Sequence, residues 1–378
     1  MNKNRPQILL TPGPLTTSAA TKEAMLRDWG SRDADFIAIT ARVRERLLAL
    51  AGAVGTHACV PLQGSGTFAV EATLGTLVPA GAAGKLLVLI NGAYGRRMAR
   101  ICDTLGRAYV SYETPEDVPP TGAEVANILA ADSAITHVAA VHCETTSGIL
   151  NPLEDIAAAT ADAGRALIVD AMSTFGALSI EAGEVRFAAL TASANKCLEG
   201  VPGVGFAIIE TSALAAAEGN APSLSLDLHD QWRTMEDTGQ WRFTPPTHVV
   251  AALDQALAEH QAEGGIEARF ARYSRNCRVL VDGLRHIGFE TFLPDELQAP
   301  IIVTVRMPHD PNFAFERLYD LVHADGIVIY PGSVTAEPTF RIGCIGRIGE
   351  DDMKRTLAAI AAALKQMGIG EDGLAPAE

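Results

Sequence analysis

The chain has 378 residues, a formal net charge of −15 and 48% hydrophobic residues. That length and apolar content exclude a disordered chain and a single small module, and predict a large core shared by two or three domains. The acidic balance disfavours nucleic acid as a partner, no apolar run is long enough to span a membrane, and six scattered cysteines without a CxxC pair fit a reduced, cytoplasmic protein with no zinc site or disulfide framework. The basic start, Met1 to Pro6, leads into no hydrophobic signal segment.

In chain order, residues 6–18 read as an extended arm ending in a rigid turn, because Pro12 and Pro14 fix φ and Gly13 permits close backbone approach. The arm is either a plain connector or a cover over a pocket. Thr17 or Ser18 is suited to cap the next helix. Residues 36–51 carry apolar side chains at the helical period. His57 to Leu62 is a short apolar strand that runs into Gln63-Gly64-Ser65-Gly66-Thr67, a turn opening a helix. Free N–H groups, the helix dipole and the Ser65 and Thr67 hydroxyls suit a phosphate there. An ordinary N-capped helix explains the same residues, and neither GxGxxG nor a Walker lysine is present.

Strand and helix patterns then alternate. Strands are expected at Leu86–Ile90, Ala108–Tyr112, His137–Cys143, Ala166–Asp170 and Phe187–Ala192. Helices are expected at Arg96–Leu105, within Asp117–Asp132 and at Leu153–Ala163. This order predicts a mostly parallel sheet with helices on both faces and a ligand beyond the carboxyl ends of the strands. Ser65, Thr67, Tyr94, Glu144, Thr145, Asp170 and Lys196 all fall on that edge. Lys196 follows a buried strand in Ser193-Ala194-Asn195-Lys196-Cys197, and Asp170 ends another. A lysine able to form a Schiff base with pyridoxal phosphate, beside an acid for the pyridinium nitrogen, is one reading of the pair. Two ordinary strand-end charges are the other.

Beyond Ile209 the pattern loosens. Leu224 to Leu228 precedes an expected loop holding Trp232, Trp241 and Phe243. Helices are expected from Thr247 to Gln261 and from Ile266 to Ile287, the second with Phe270, Tyr273, Cys277, Leu280, Val281 and Leu284 on its apolar face. Strands at Ile301–Val305, Ile327–Tyr330 and Phe340–Cys344, with helices at Phe313–Ala324 and Glu350–Gln366, predict a small α+β unit with an antiparallel sheet. The expected division is an arm at 1–18, a large domain at 19–262, a small domain at 263–368 and a tail at 369–378.

Taken in order, these segments resemble the class V aminotransferases among the fold-type-I pyridoxal phosphate enzymes. The resemblance spans nearly the whole chain. It rests on Leu-Thr-Pro-Gly-Pro (10–14), Leu-Gln-Gly-Ser-Gly-Thr (62–67), Asn-Gly-Ala-Tyr-Gly (91–95) and His-Cys-Glu-Thr-Thr-Ser-Gly (142–148). It continues through Ile-Val-Asp-Ala-Met-Ser (168–173), Ser-Ala-Asn-Lys-Cys (193–197), Ser-Leu-Asp-Leu (225–228), Trp-Arg-Phe-Thr (241–244), Val-Ile-Tyr-Pro-Gly (328–332) and Phe-Arg-Ile-Gly (340–343). It implies a fold-type-I transferase fold, an α/β large domain with a smaller C-terminal α+β domain, and pyridoxal 5'-phosphate as cofactor. By the same resemblance Lys196 is the Schiff-base lysine and proton relay, and Asp170 the partner of the pyridine nitrogen. Ser65, Gly66 and Thr67 form the phosphate cup, with Asn195 an added donor. Tyr94 stacks on the ring or is a core tyrosine, and Thr145 contacts the cofactor. Thr244 reaches a phosphate from a partner subunit, which implies a homodimer with shared sites. Arg341 grips the substrate carboxylate or phosphonate, with Arg242 and Arg32 as weaker candidates. The implied reaction moves the amino group of 2-aminoethylphosphonate to pyruvate; alanine–glyoxylate or serine–pyruvate exchange is the alternative. A non-catalytic nucleotide-binding protein stays open on the glycine turn alone, and a cysteine desulfurase does not fit, since Cys197 reads as a small hydrophobe.

Overall fold

The computed structural model describes residues 7–330 and 335–370. The first six residues of the arm, Pro331 and Gly332 of the 328–332 motif, and residues 371–378 of the tail lie outside the described residues. Among the described residues no helix is long and apolar enough to cross a membrane.

Strand β1 (Ile8–Leu10) leads to the short helix α1 (Ala19–Glu23), capped by Ser18, whose hydroxyl accepts from the Thr21 N–H at 2.9 Å. Helix α2 (Ala34–Leu50) follows. Then come β2 (His57–Gly64), α3 (Gly66–Leu77), β3 (Lys85–Ile90), α4 (Ala93–Leu105), β4 (Ala108–Glu113), α5 (Gly122–Ala131) and β5 (His137–Val141). A hairpin of β6 (Cys143–Glu144) and β7 (Ile149–Leu150) precedes α6 (Leu153–Asp162), β8 (Ala166–Asp170), β9 (Ala189–Ser193) and β10 (Gly203–Glu210).

Seven of these strands form one sheet in the order β2-β10-β9-β8-β5-β3-β4, parallel except that β10 runs against both of its neighbours. Near-continuous apolar runs are what a sheet covered on both faces requires. In β3, Leu87 and Leu89 join one core with Phe36, Val43, Ile156 and Leu253, while Leu86, Val88 and Ile90 join the other with Val70, Leu74 and Met98. The strand order reverses direction at β3, with β4 on one side and β5 on the other. Chain ends diverge there, which opens a crevice beyond the carboxyl edge.

Helix α7 (Thr211–Ala215) is followed by α8 (Leu228–Thr238) and α9 (Thr247–Glu263). Helix α8 replaces part of the expected aromatic loop, so Trp232 is helical and only Trp241 and Phe243 lie in loop. Asp227 starts the helix by accepting the Asp230 N–H at 3.0 Å. The C-terminal part contains α10 (Gly265–Ile287), β11 (Ile302–Arg306), α11 (Phe315–Ala324), β12 (Ile327–Ile329), β13 (Thr339–Gly343) and α12 (Glu350–Met367). Strands β11 and β13 pair antiparallel, with Thr304 opposite Arg341. The second pairing corrects the expectation of a purely antiparallel sheet: β1 joins β12 in parallel, and Ile8 and Leu10 pack into the C-terminal core. On α10, Tyr273, Cys277, Leu280, Val281 and Leu284 are buried as expected, but Phe270 is 44% exposed and Arg269 is buried in its place.

Candidate active site

The carboxyl edge of the sheet gathers the reactive side chains. After β9 the chain makes a tight turn: the Glu199 N–H donates to the Lys196 carbonyl and the Gly200 N–H to the Ala194 carbonyl, both at 2.8 Å. Glu199 closes this turn in the left-handed region, with φ of 58°. Lys196 is half-buried, and its Nζ donates to the Pro12 carbonyl at 2.5 Å. The arm therefore lies over the lysine. Gly13 has φ of +128°, and a Cβ there would stand 2.7 Å from Lys196 Cδ and Nζ, so only glycine leaves the lysine its place. Burial is the largest influence on the Lys196 amine and brings it down to about 8; the Arg341 and Arg97 charges push the same way, against Asp170 and Cys197.

Asp170 ends β8 and is buried. Its Oδ1 accepts the Met172 N–H at 2.9 Å. Among the described residues its second oxygen has no hydrogen bond. Burial raises this carboxyl to about 6, and the neighbouring Glu144 adds to the rise. Glu144 is itself buried, and its carboxylate holds the start of α4 by accepting the Tyr94 N–H at 3.0 Å and the Gly95 N–H at 3.3 Å. It also accepts the Thr146 hydroxyl at 2.6 Å. This anchoring places Tyr94 above the crevice by the helix N-terminus preference for anions. Gly66 opens α3, and a Cβ there would meet Met172 Sδ at 2.3 Å, so the backbone of the glycine turn packs directly on the segment after Asp170. Gly66, Thr67, Tyr94, Arg97, Asp170 and Met172 line one common pocket.

Arg341 comes from β13 in the C-terminal part. It is buried, and its Nη1 donates to the Thr145 carbonyl at 2.8 Å. Its Nε is buried with no hydrogen-bond partner, and no carboxylate among the described residues pairs with it. Its guanidinium lies 5.6 Å over the Tyr330 ring. A buried arginine left without an anion is a site for one.

Behind Lys196 sits a buried ion network. Glu199 Oε1 accepts from Tyr273 Oη at 2.6 Å and from Arg272 Nη2 at 2.7 Å, and Arg269 Nη1 lies 3.6 Å away. Arg269 also donates to the Cys197 carbonyl, and Glu263 pairs with Arg269 at 2.8 Å and Arg272 at 2.7 Å. The Gly346 N–H donates to the Tyr273 oxygen at 3.2 Å. Helix α10 thus ties the lysine turn to the segment that follows Arg341.

Comparison with known proteins accounts for this assembly. Residues 18–347 match the family model described as aminotransferase class-V. The chain is 59% identical over 362 residues to a 2-aminoethylphosphonate–pyruvate transaminase of Pseudomonas putida, covering 96% of this chain and 98% of that protein. A protein of the same name from Pseudomonas aeruginosa is 55% identical over 367 residues, covering 97% and 98%. The chain belongs to the class V aminotransferases. Solved structures share the fold: ureidoglycine–glyoxylate aminotransferase from Bacillus subtilis (TM-score 0.88, 23% identity, 97% of this chain and 95% of that one). Pyridoxamine–pyruvate aminotransferase from Mesorhizobium loti matches with a TM-score of 0.87 at 24% identity, over 99% and 97%. The cofactor of this class V aminotransferase is pyridoxal 5'-phosphate. The residues present fit it: an oxygen on buried Asp170 with no hydrogen bond among the described residues, a helix start at Ser65-Gly66-Thr67 with two hydroxyls, and an enclosed amine on Lys196.

The aminotransferase brings Ser65, Gly66, Thr67, Tyr94, Thr145, Asp170 and Lys196 to the carboxyl edge of the seven-stranded sheet, and Arg341 reaches that edge from β13 through the Thr145 carbonyl. Asn195 is half-buried beside the lysine. Thr244 is exposed and lines a different groove, about 350 Å³ in volume, with Gln63, Phe68 and Phe243. Arg242 pairs with Asp230 at 3.3 Å and donates to the Leu224 carbonyl at 3.0 Å. Arg32 is exposed, with no ion pair among the described residues. Sequence reasoning missed Arg97, the anchoring role of Glu144 and the network around Glu199. Arg97 had a signal, its place three residues after Tyr94 on a helix. The network had none, because its members are far apart in sequence.

Proposed function

We propose that the chain transfers the amino group of 2-aminoethylphosphonate to pyruvate, giving phosphonoacetaldehyde and L-alanine. The observation that carries this reading is identity of 55% to 59%, over nearly the full length of both chains, to relatives named for that reaction. The two substrates use one site in turn.

Pyridoxal 5'-phosphate, when bound, supplies a carbonyl for the substrate amine and a ring that withdraws electrons from the reacting carbon. The chain's residues do the rest. Lys196, with its amine lowered to about 8, keeps a larger neutral fraction than an ordinary lysine and then carries the proton between the carbons on either side of the transferred nitrogen. Asp170 holds the proton on the ring nitrogen. Ser65, Gly66 and Thr67 seat the phosphate at the start of α3, with Asn195 beside them, and Tyr94 covers the ring. Thr145 holds Arg341 through its carbonyl. Arg341 keeps its buried Nε for an anionic oxygen, and its planar fork suits phosphonate and carboxylate alike. The large unit spans 19–262 and the small one 263–368.

The functional unit is a homodimer. Thr244 serves a phosphate held by the other subunit. Its groove carries apolar surface, with Phe68 48% and Phe243 52% exposed, which a partner would cover.

The test is an absorbance titration of the purified protein. Adding 2-aminoethylphosphonate should discharge the visible band of the lysine-bound cofactor, and pyruvate should restore it. Discharge by alanine and recovery with glyoxylate, with no response to 2-aminoethylphosphonate, would sink the reading.

A further inference from the structure

The glycine turn at 65–67 offers a phosphate two hydroxyls and a helix N-terminus, which together carry well under one full positive charge. The phosphate of the cofactor is dianionic, and the chain has a net charge of −15. A cation beside the cup would balance that charge. Lys196 cannot, because it acts at the other end of the cofactor.

Arg97 is placed for it. It lies one turn into α4, three residues after Tyr94, on the same helix face. Its Nη1 donates to Thr67 Oγ1 at 3.3 Å, and its guanidinium stands 4.7 Å over the Tyr94 ring. It therefore bridges the cup and the ring-covering residue. Its neighbour Arg96 is committed to Glu113 at 2.8 Å and Glu116 at 3.4 Å. Arg97 has no carboxylate partner among the described residues. Its charge is felt at both Asp170 and Lys196.

We propose that Arg97 is a cofactor-binding residue: its guanidinium neutralises the phosphate in the 65–67 cup while its planar face stays on Tyr94. This rests on the assignment of the cup as the phosphate seat. Phosphonate on the substrate shares the chemistry, so the experiment separates the two.

The cofactor is stripped from wild type, Arg97→Gln and Arg97→Lys. Each is titrated with pyridoxal 5'-phosphate and with pyridoxal, which lacks the phosphate, following the absorbance of the lysine-bound form. Loss of a charge-assisted contact should weaken pyridoxal 5'-phosphate binding to R97Q by about 10- to 100-fold. Pyridoxal binding should stay within about twofold, and R97K should recover most of the loss because it restores the charge. Unchanged affinity of R97Q for pyridoxal 5'-phosphate overturns the proposal. So does an equal loss for both compounds, which would mean that Arg97 only props Tyr94. Normal cofactor affinity with a raised KM for 2-aminoethylphosphonate overturns it too, by assigning Arg97 to the substrate. Failure of wild type to take up pyridoxal 5'-phosphate at all would instead remove the underlying reading.

Discussion

At the scale of single residues, Asp170 and Lys196 were both legible as strand-end charges, and their chemistry follows from being buried. Asp170 is raised from 3.8 to about 6. Its folded value lies above its unfolded one, so the folded chain holds the proton more tightly and the buried charge is a burden at higher pH. The burden is absent below the unfolded value, grows between the two and is complete above the folded value. Asp170→Asn should therefore stabilise the cofactor-free protein at pH 7.5 by about 3 kcal/mol, the worth of a two-unit shift, and leave it unchanged at pH 3.5. Urea midpoints at the two pH values check this, and equal midpoints for both proteins at pH 7.5 would remove burial as the cause. The same substitution should lower activity, because the ring nitrogen loses the charge that keeps it protonated. Arg97 was legible only as a helical position three residues after Tyr94. A cation on an amphipathic helix reads as a solvated face, and only the folded chain sets it against Thr67 and Tyr94.

At the scale of elements, the sheet was readable because its strands are short apolar runs separated by helix-period segments. Other features were not. Helix α8 has a small apolar face, Leu228 and Met235 among many polar residues, and its start rests on the cap at Asp227. The pairing of β1 with β12 joins three-residue strands from opposite ends of the chain, and neither carries enough periodicity to announce a partner. Arg269 occupies an apolar phase of α10 because Glu199 and Glu263 meet it there. The arm makes a direct test of element placement. Gly13→Ala sets a methyl 2.7 Å from Lys196 Nζ at a backbone angle that side chains disfavour. With the lysine displaced by roughly an ångström, kcat should fall about 10²-fold. The protein should still fold, as far-UV circular dichroism would report. Wild-type turnover in this variant would show that the arm does not constrain the lysine. On α10, Tyr273→Phe removes a hydroxyl that serves both Glu199 and the Gly346 N–H. Two buried groups lose a partner, so stability should drop by about 1–3 kcal/mol in a urea titration. Because the lysine turn loosens as well, the titration of the lysine-bound cofactor should shift in pH. A stability loss with no such shift would make the network purely structural.

At the scale of the whole molecule, the proposed sites are shared between two chains. Lys196 and Asp170 face one crevice, while Thr244 lines another groove among exposed Phe68 and Phe243. If each site takes its lysine from one subunit and Thr244 from the other, two inactive proteins can complement each other. Lys196→Ala removes the proposed covalent anchor. Thr244→Asp sets a like charge against the phosphate in the partner's cup and should abolish cofactor binding. Mixed and reassembled, half of the dimers contain one chain of each kind. In such a dimer one site carries both changes and the other carries neither. Activity should therefore rise from near zero to about a quarter of the wild-type value per site, as symmetric pairing with random exchange requires. Separately purified homodimers, mixed without dissociation, should stay inactive. Were Thr244 to serve the crevice of its own chain, every site in the mixture would be broken once and no activity would return. The assay thus distinguishes a shared site from a self-contained one without depending on which amino donor the enzyme prefers.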